Sequence, residues 1–223
     1  GVSPAESARN RRFKAMPLFT IGISHHTAPI EIREKVAIPR TEYNERVREL
    51  CALPGIEEAL ILGTCNRTEI YCLSSQAGQP EVADWIHRVN GISAGDLDEH
   101  FYLHEGEQAA RHLIRVASGL DSLVLGETQI LGQLKDAWQQ AHDAGTLGKV
   151  LDRLFQHTFA AAKSIRTESG IGDHPVSVAY TAVVLARLVR DHRLELVGRR
   201  PIQPVGVVTI YPDKPPPFRL KPR

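Results

Sequence analysis

Cys65 is the residue whose type and setting could do chemistry. It lies in Gly63-Thr64-Cys65-Asn66-Arg67-Thr68-Glu69, between the apolar runs Ala59-Leu60-Ile61-Leu62 and Ile70-Tyr71-Cys72-Leu73. Both runs read as short buried strands, so the polar septet between them reads as the turn of a strand pair. That would set Cys65 at the end of a strand on a rigid frame. Turn amides and the Arg67 guanidinium favour a thiolate, the form of sulfur that attacks a carbonyl carbon. A lone cysteine is more often an unreactive buried or surface thiol, so the turn by itself does not make a nucleophile.

The histidines offer fewer openings. His25 and His26 follow the apolar run Leu18–Ile23 and suggest a metal pair, but neighbours on an extended segment point opposite ways and no third ligand is evident. His104 and His112 suit general acid or base work. For His112, on the border of an apolar helix face, a hydrogen-bonded helix histidine is the competing reading. Cys51, Cys65 and Cys72 make no metal spacing and read as free thiols in a reducing, cytoplasmic setting. Neither G-x-G-x-x-G nor G-x-x-x-x-G-K-[ST] occurs, so no nucleotide cradle is expected.

These residues need elements to hold them. A chain of 223 residues with 42% hydrophobic and 24% charged residues is long enough for a substantial core. A net charge of +1 gives no global basic field, so contact with nucleic acid would rest on a local patch. No apolar run reaches the roughly 18 residues that span a bilayer, so no membrane contact is expected. The pattern predicts a strand at 18–23, a helix capped by Thr41 with Tyr43, Val47, Leu50 and Cys51 inward, and the strand pair around Cys65. A helix with Val82, Trp85, Ile86 and Val89 and a strand at 101–103 follow. That order is a split βαβ, ferredoxin-like arrangement, which makes the chain α+β.

From Glu105 the pattern is helical. One helix carries Ala109, Ala110, Leu113, Val116, Ala117 and Leu120 on one face. A second opens at Gly126-Glu127-Thr128, a third runs over about 147–168, and a fourth starts at Pro175 or Ser177. On the second, Gln129, Gln133, Asp136 and Gln140 form a single stripe, by default a solvated one. Residues 201–223 hold seven of the fourteen prolines and read as an irregular, poorly ordered tail, within which 205–211 could form an isolated strand. The expected division is a polar arm at 1–15, ahead of Met16 and readable as an upstream extension, a catalytic domain at 16–174, the start of a linking helix at 175–190, and a divergent tail at 191–223.

Several segments together resemble one family, glutamyl-tRNA reductase, which makes glutamate-1-semialdehyde in the five-carbon route to tetrapyrroles. They are Ile21–Pro29, Leu62–Tyr71, His112–Gln133, Ser164–Glu168 and Ser177–Tyr180. The resemblance implies that Cys65 attacks the ester carbonyl of glutamyl-tRNA to form a thioester, which hydride from NADPH then reduces. It implies that Thr64, Cys65, Asn66 and Arg67 line the glutamyl pocket with Ser122, Glu127, Thr128, Gln129 and Gln133. The Gln129/Gln133 stripe then becomes a pocket wall. Arg67 is suited to hold a carboxylate in its fork, and His112 matches a histidine needed for activity, in positioning or proton transfer.

The resemblance ends near Arg187. The family continues into a Rossmann domain and a helical dimerisation domain, and neither follows here. The expectation is therefore a truncated or frame-shifted reading, able to form the thioester but lacking the NADPH site and the homodimer contacts. The alternative is a non-catalytic remnant that binds glutamyl-tRNA or a partner from the pathway.

Overall fold

The computed structural model describes residues 18–75, 78–93 and 97–171, together with the backbone of 194–196 and 218–220. Strand β1 (Leu18–Ser24) leads into a short helix α1 (Ile30–Lys35), a 3-10 turn (Arg40–Glu42) and helix α2 (Tyr43–Cys51). Strands β2 (Ile56–Gly63) and β3 (Arg67–Ser74) form a hairpin, followed by α3 (Gln79–Asn90) and β4 (Tyr102–Glu105). Helices α4 (Gly106–Ala117), α5 (Gln129–Ala144) and α6 (Lys149–Ser169) complete the body.

The strands pair antiparallel in the order β2-β3-β1-β4. Each βα crossover spans one intervening strand, which is the split βαβ arrangement expected from the sequence. Alternation along the strands divides the core into two layers. Phe19, Ile21, Ile23, Ala59, Ile61, Ile70 and Cys72 pack with Val47 and Leu50 of α2 and Val82, Trp85 and Ile86 of α3. Leu60, Leu62 and Tyr71 face the other way, onto Leu113 and Val116 of α4, Ile130 and Leu134 of α5 and Phe155 of α6. The sheet is thus covered on both faces, and its second face carries the polar row described below.

The structure departs from the sequence reading in four places. Helix α1 was not foreseen, because six residues are too few to show a helical period. Thr41 does not cap α2: it lies within the 3-10 turn, and the N-cap position falls to Glu42, with no side-chain cap bond. The helix after Glu105 stops at Ala117, leaving Leu120 38% exposed in the next loop. Leu194–Leu196 and Phe218–Leu220 pair as a short antiparallel ribbon within the segment read as irregular. The arm at 1–15, the helix expected from Pro175 or Ser177 and the strand expected at 205–211 lie outside the described residues.

Candidate active site

The hairpin places Cys65 in the tight turn between Gly63 and Arg67, and Cys65 is exposed. Thr64 builds that turn. Its amide donates to the Arg67 carbonyl at 2.8 Å, and its hydroxyl accepts from the amides of Asn66 and Arg67 at 3.1 Å each. The residue before the cysteine therefore spends its hydroxyl on the backbone that shapes the loop. Arg33 of α1 clasps the turn from outside, donating from one guanidinium nitrogen to the Cys65 carbonyl at 2.7 Å and to Asn66 Oδ1 at 3.2 Å. On the other flank, the His25 amide donates to the Asn66 carbonyl at 2.9 Å. The turn is held by Thr64 from within and by Arg33 and the His25 amide from outside, through the Cys65 carbonyl and its neighbours.

Beneath the turn lies a buried ionic row. Arg67, Glu69 and Tyr71 alternate along β3, so their side chains share the face toward α4. In register with Glu69 is Gly22 of β1, and Gly22 in turn pairs with Tyr102 of β4. A Cβ at Gly22 would come within 2.7 Å of the Thr68 carbonyl oxygen and 2.9 Å of Glu69 Cγ, so glycine leaves the room that the Glu69 side chain takes over this strand. Tyr102 donates its hydroxyl to Glu69 Oε1, Tyr71 donates to Oε2, and Arg67 donates to Oε1 at 2.6 Å. His112 of α4 places Nε2 at 2.9 Å from the same Oε1. The second terminal nitrogen of Arg67 donates to the Asp121 carbonyl and, at 3.0 Å, to Asp121 Oδ2.

The charges follow from the contacts. Burial alone would raise the Glu69 carboxyl, but Arg67, His112 and Tyr102 outweigh it and hold it below the usual carboxylate range. Burial and the Glu69 charge push the hydroxyls of Tyr71 and Tyr102 well up, so both remain donors. Burial, with His26 and Arg67 nearby, lowers His25 to about 4 and keeps it neutral. Burial also raises the Glu127 carboxyl, against the opposing influence of Ser122 and Arg67. Ser122 Oγ is buried beside this carboxyl.

The loop that carries Asp121, Ser122 and Glu127 is anchored from α6. Arg166 donates to the carbonyls of Ser118 at 3.3 Å, Glu127 at 3.0 Å and Gly126 at 3.0 Å. Thr128 and Gln129 are exposed at the start of α5, and Gln133 is half-buried one turn on. Among the described residues, no hydrogen bond ties these three to the Cys65 turn. Asp136, on the same stripe, is exposed and pairs with Arg40 at 3.3 Å.

The guanidinium of Arg67 is not an open fork. Its side chain is 1% exposed, and both terminal nitrogens are taken by Glu69 and Asp121. His104 stacks on His112 with ring centroids 4.6 Å apart. His25 and His26 stack on each other at 3.9 Å, and no group of three metal-binding side chains gathers among the described residues. Sequence reasoning assigned no role to Arg33, Glu69, Tyr102, Asp121 or Arg166. For Arg33 a local signal existed: Pro29 at the helix start, Glu31 in the first turn, and Arg33 and Lys35 in the last.

The described body is a split antiparallel sheet with an exposed cysteine in its hairpin turn and, on β3 beside that turn, a buried carboxylate–guanidinium–imidazole row. The family pattern described as glutamyl-tRNAGlu reductase, N-terminal domain, matches residues 21–169, and the chain belongs to the glutamyl-tRNA reductase family. The chain is 53% identical over 176 residues to glutamyl-tRNA reductase of Chromohalobacter salexigens, covering 79% of this chain and 42% of that one. It is 49% identical over 187 residues to the enzyme of Alcanivorax borkumensis, covering 82% and 44%. The solved glutamyl-tRNA reductase of Methanopyrus kandleri superposes with a TM-score of 0.63 at 34% identity, over 76% of this chain and 39% of that one. The chain thus spans about two-fifths of the length of the relatives it matches.

Proposed function

We propose that this domain takes the glutamyl group of glutamyl-tRNA onto Cys65 as a thioester, the first half of a glutamyl-tRNA reductase reaction. Sγ of Cys65 attacks the ester carbonyl carbon, the new S–C bond forms, and the bond to the ribose oxygen of the tRNA breaks. The thiol proton ends on that oxygen. An ester is a good acyl donor to sulfur, so the step needs a positioned, accessible thiol more than elaborate activation. The observation that carries this reading is the exposure of Cys65 in a turn clasped by Arg33, Thr64 and His25.

Around it, Asn66, Ser122, Glu127, Thr128, Gln129 and Gln133 are the residues we assign to the glutamyl pocket. Ser122 has a buried hydroxyl that a bound substrate could engage. We assign Arg67 to the same site through its field rather than through an open fork, because its terminal nitrogens are already engaged. His112, on the Glu69 row, is the group for positioning or proton transfer.

In the family reading, NADPH supplies the hydride that reduces the thioester. Among the described residues, no glycine-rich turn joins a strand to a helix in the way that cradles a pyrophosphate. The chemistry assigned to the described residues ends at the thioester. The test is transfer of labelled glutamate from glutamyl-tRNA to the protein in an acid-stable form, with Cys65→Ser as control. Label on the wild type and none on the control is the expected result. Label on neither would leave the second reading, a domain that binds glutamyl-tRNA without turnover.

A further inference from the structure

Glu69 Oε1 is the meeting point of Arg67, Tyr102 and His112, while Tyr71 occupies Oε2. The carboxyl is fully buried, and the cation beside it keeps it ionised. An ionised carboxylate can only accept, so each of its four partners must donate. For His112 this settles the ring's protons. When the imidazole is neutral, Nε2 carries the hydrogen and Nδ1 carries the lone pair. The ring is also held in place, with its side chain 11% exposed and packed against Tyr102 at 5.3 Å and His104 at 4.6 Å between centroids. No described residue hydrogen-bonds to Nδ1.

We infer that Glu69 is a positioning residue that locks His112 as its Nε2–H tautomer, so that the proton His112 handles during acyl transfer is taken and returned at Nδ1. This rests on the reading of Cys65 as the acyl acceptor. The thiol proton is taken up at Nδ1 as sulfur bonds to the ester carbon. The ring is then an imidazolium whose Nε2–H still points at the Glu69 carboxylate. It returns the proton from Nδ1 to the departing ribose oxygen as the C–O bond breaks. Glu69 neither gains nor loses a proton, and Tyr102 and Tyr71 remain its donors. Gly22 is part of the device, since a Cβ there would collide with the Thr68 carbonyl oxygen at 2.7 Å and with Glu69 Cγ at 2.9 Å and displace the carboxylate.

The test is ¹⁵N NMR of the whole chain with labelled histidine, the His112 signals being assigned by their loss in His112→Ala. The expected spectrum shows a protonated Nε2 and an unprotonated Nδ1. A protonated Nδ1 in the folded wild type would overturn the inference without any variant. Glu69→Gln is expected to release the tautomer into a mixture and to slow thioester formation by roughly 10- to 100-fold at unchanged KM, no more than the roughly 100-fold at which the range for a whole general base begins, because the imidazole itself is kept. Tyr102→Phe, which keeps the carboxylate, is expected to leave the tautomer in place. A Glu69→Gln variant that folds and keeps both tautomer and rate would also overturn the inference. Failure of the wild type to form any thioester would instead sink the reading of Cys65, with the tautomer still measurable.

Discussion

The three thiols should differ in reactivity by amounts the structure sets. Cys65 is exposed, Cys51 is partly buried, and Cys72 is fully buried in the core beneath α2 and α3. Burial raises the Cys51 thiol from 9.0 to about 11 and pushes Cys72 well above its ordinary value. For Cys51, that rise cuts the thiolate fraction near neutral pH about 100-fold relative to an unshifted thiol. The more basic thiolate is a better nucleophile by about 6- to 10-fold, using a Brønsted slope of 0.4–0.5. The net handicap is therefore about 10- to 15-fold before any steric cost. Cys72 needs the core to open before a reagent can reach it. With a disulfide reagent such as DTNB under native conditions, one thiol should react in a fast phase, a second at least about 10-fold more slowly, and the third only as the domain unfolds. Cys65→Ser should abolish the fast phase alone. A fast phase that survives Cys65→Ser, or equal rates for two thiols in the wild type, would refute the reasoning.

Two further outcomes concern stability. Glu58, 7% exposed on β2, caps α6 from a distance by accepting the amides of Val150 at 3.2 Å and Leu151 at 2.7 Å. Glu58→Ala leaves those amides unpaired and should cost about 2 kcal/mol, read as a lower urea midpoint at unchanged slope; an unchanged midpoint would deny the cap. Acid should weaken the fold through His25, whose folded value of about 4 lies below its ordinary 6.5. Between those values the unfolded chain binds more protons, so this contribution is complete above about pH 6.5 and is lost as pH falls toward 4. The ring is half-buried, so solvent screening brings the loss to about 1–2 kcal/mol, less than the full shift implies. Urea midpoints of wild type and His25→Gln should converge on acidification, and parallel curves from pH 7 to 5 would contradict the assignment.

The hairpin around Cys65 was legible because two apolar runs bracket one polar septet, a local pattern that needs no knowledge of the rest of the chain. The longer helices were legible for the same reason: α5 and α6 repeat their apolar residues over four or more turns. Helix α1, with six residues and no buried side chain, gave no such repeat, and the Arg33 clasp went unseen with it.

Arg67 shows where local reading stops. Its chemistry suits a carboxylate fork, and that is as far as residue type can go. Its partners lie at Glu69 and, 54 positions away, at Asp121, while His112 reaches Glu69 from 43 positions away. Parity along β3 puts Arg67 and Glu69 on one face, but parity cannot say which of two covered faces, nor what packs there. Strand order and register settle that by bringing Gly22 between Glu69 and Tyr102. By itself, then, the sequence determined the longer elements, the split βαβ order and the thiol at a turn, all of which depend on periodicity and neighbours. The tertiary structure alone decided that the arginine is spent on an internal carboxylate, because a buried charge must find its counterion wherever the chain's long-range pairing brings one.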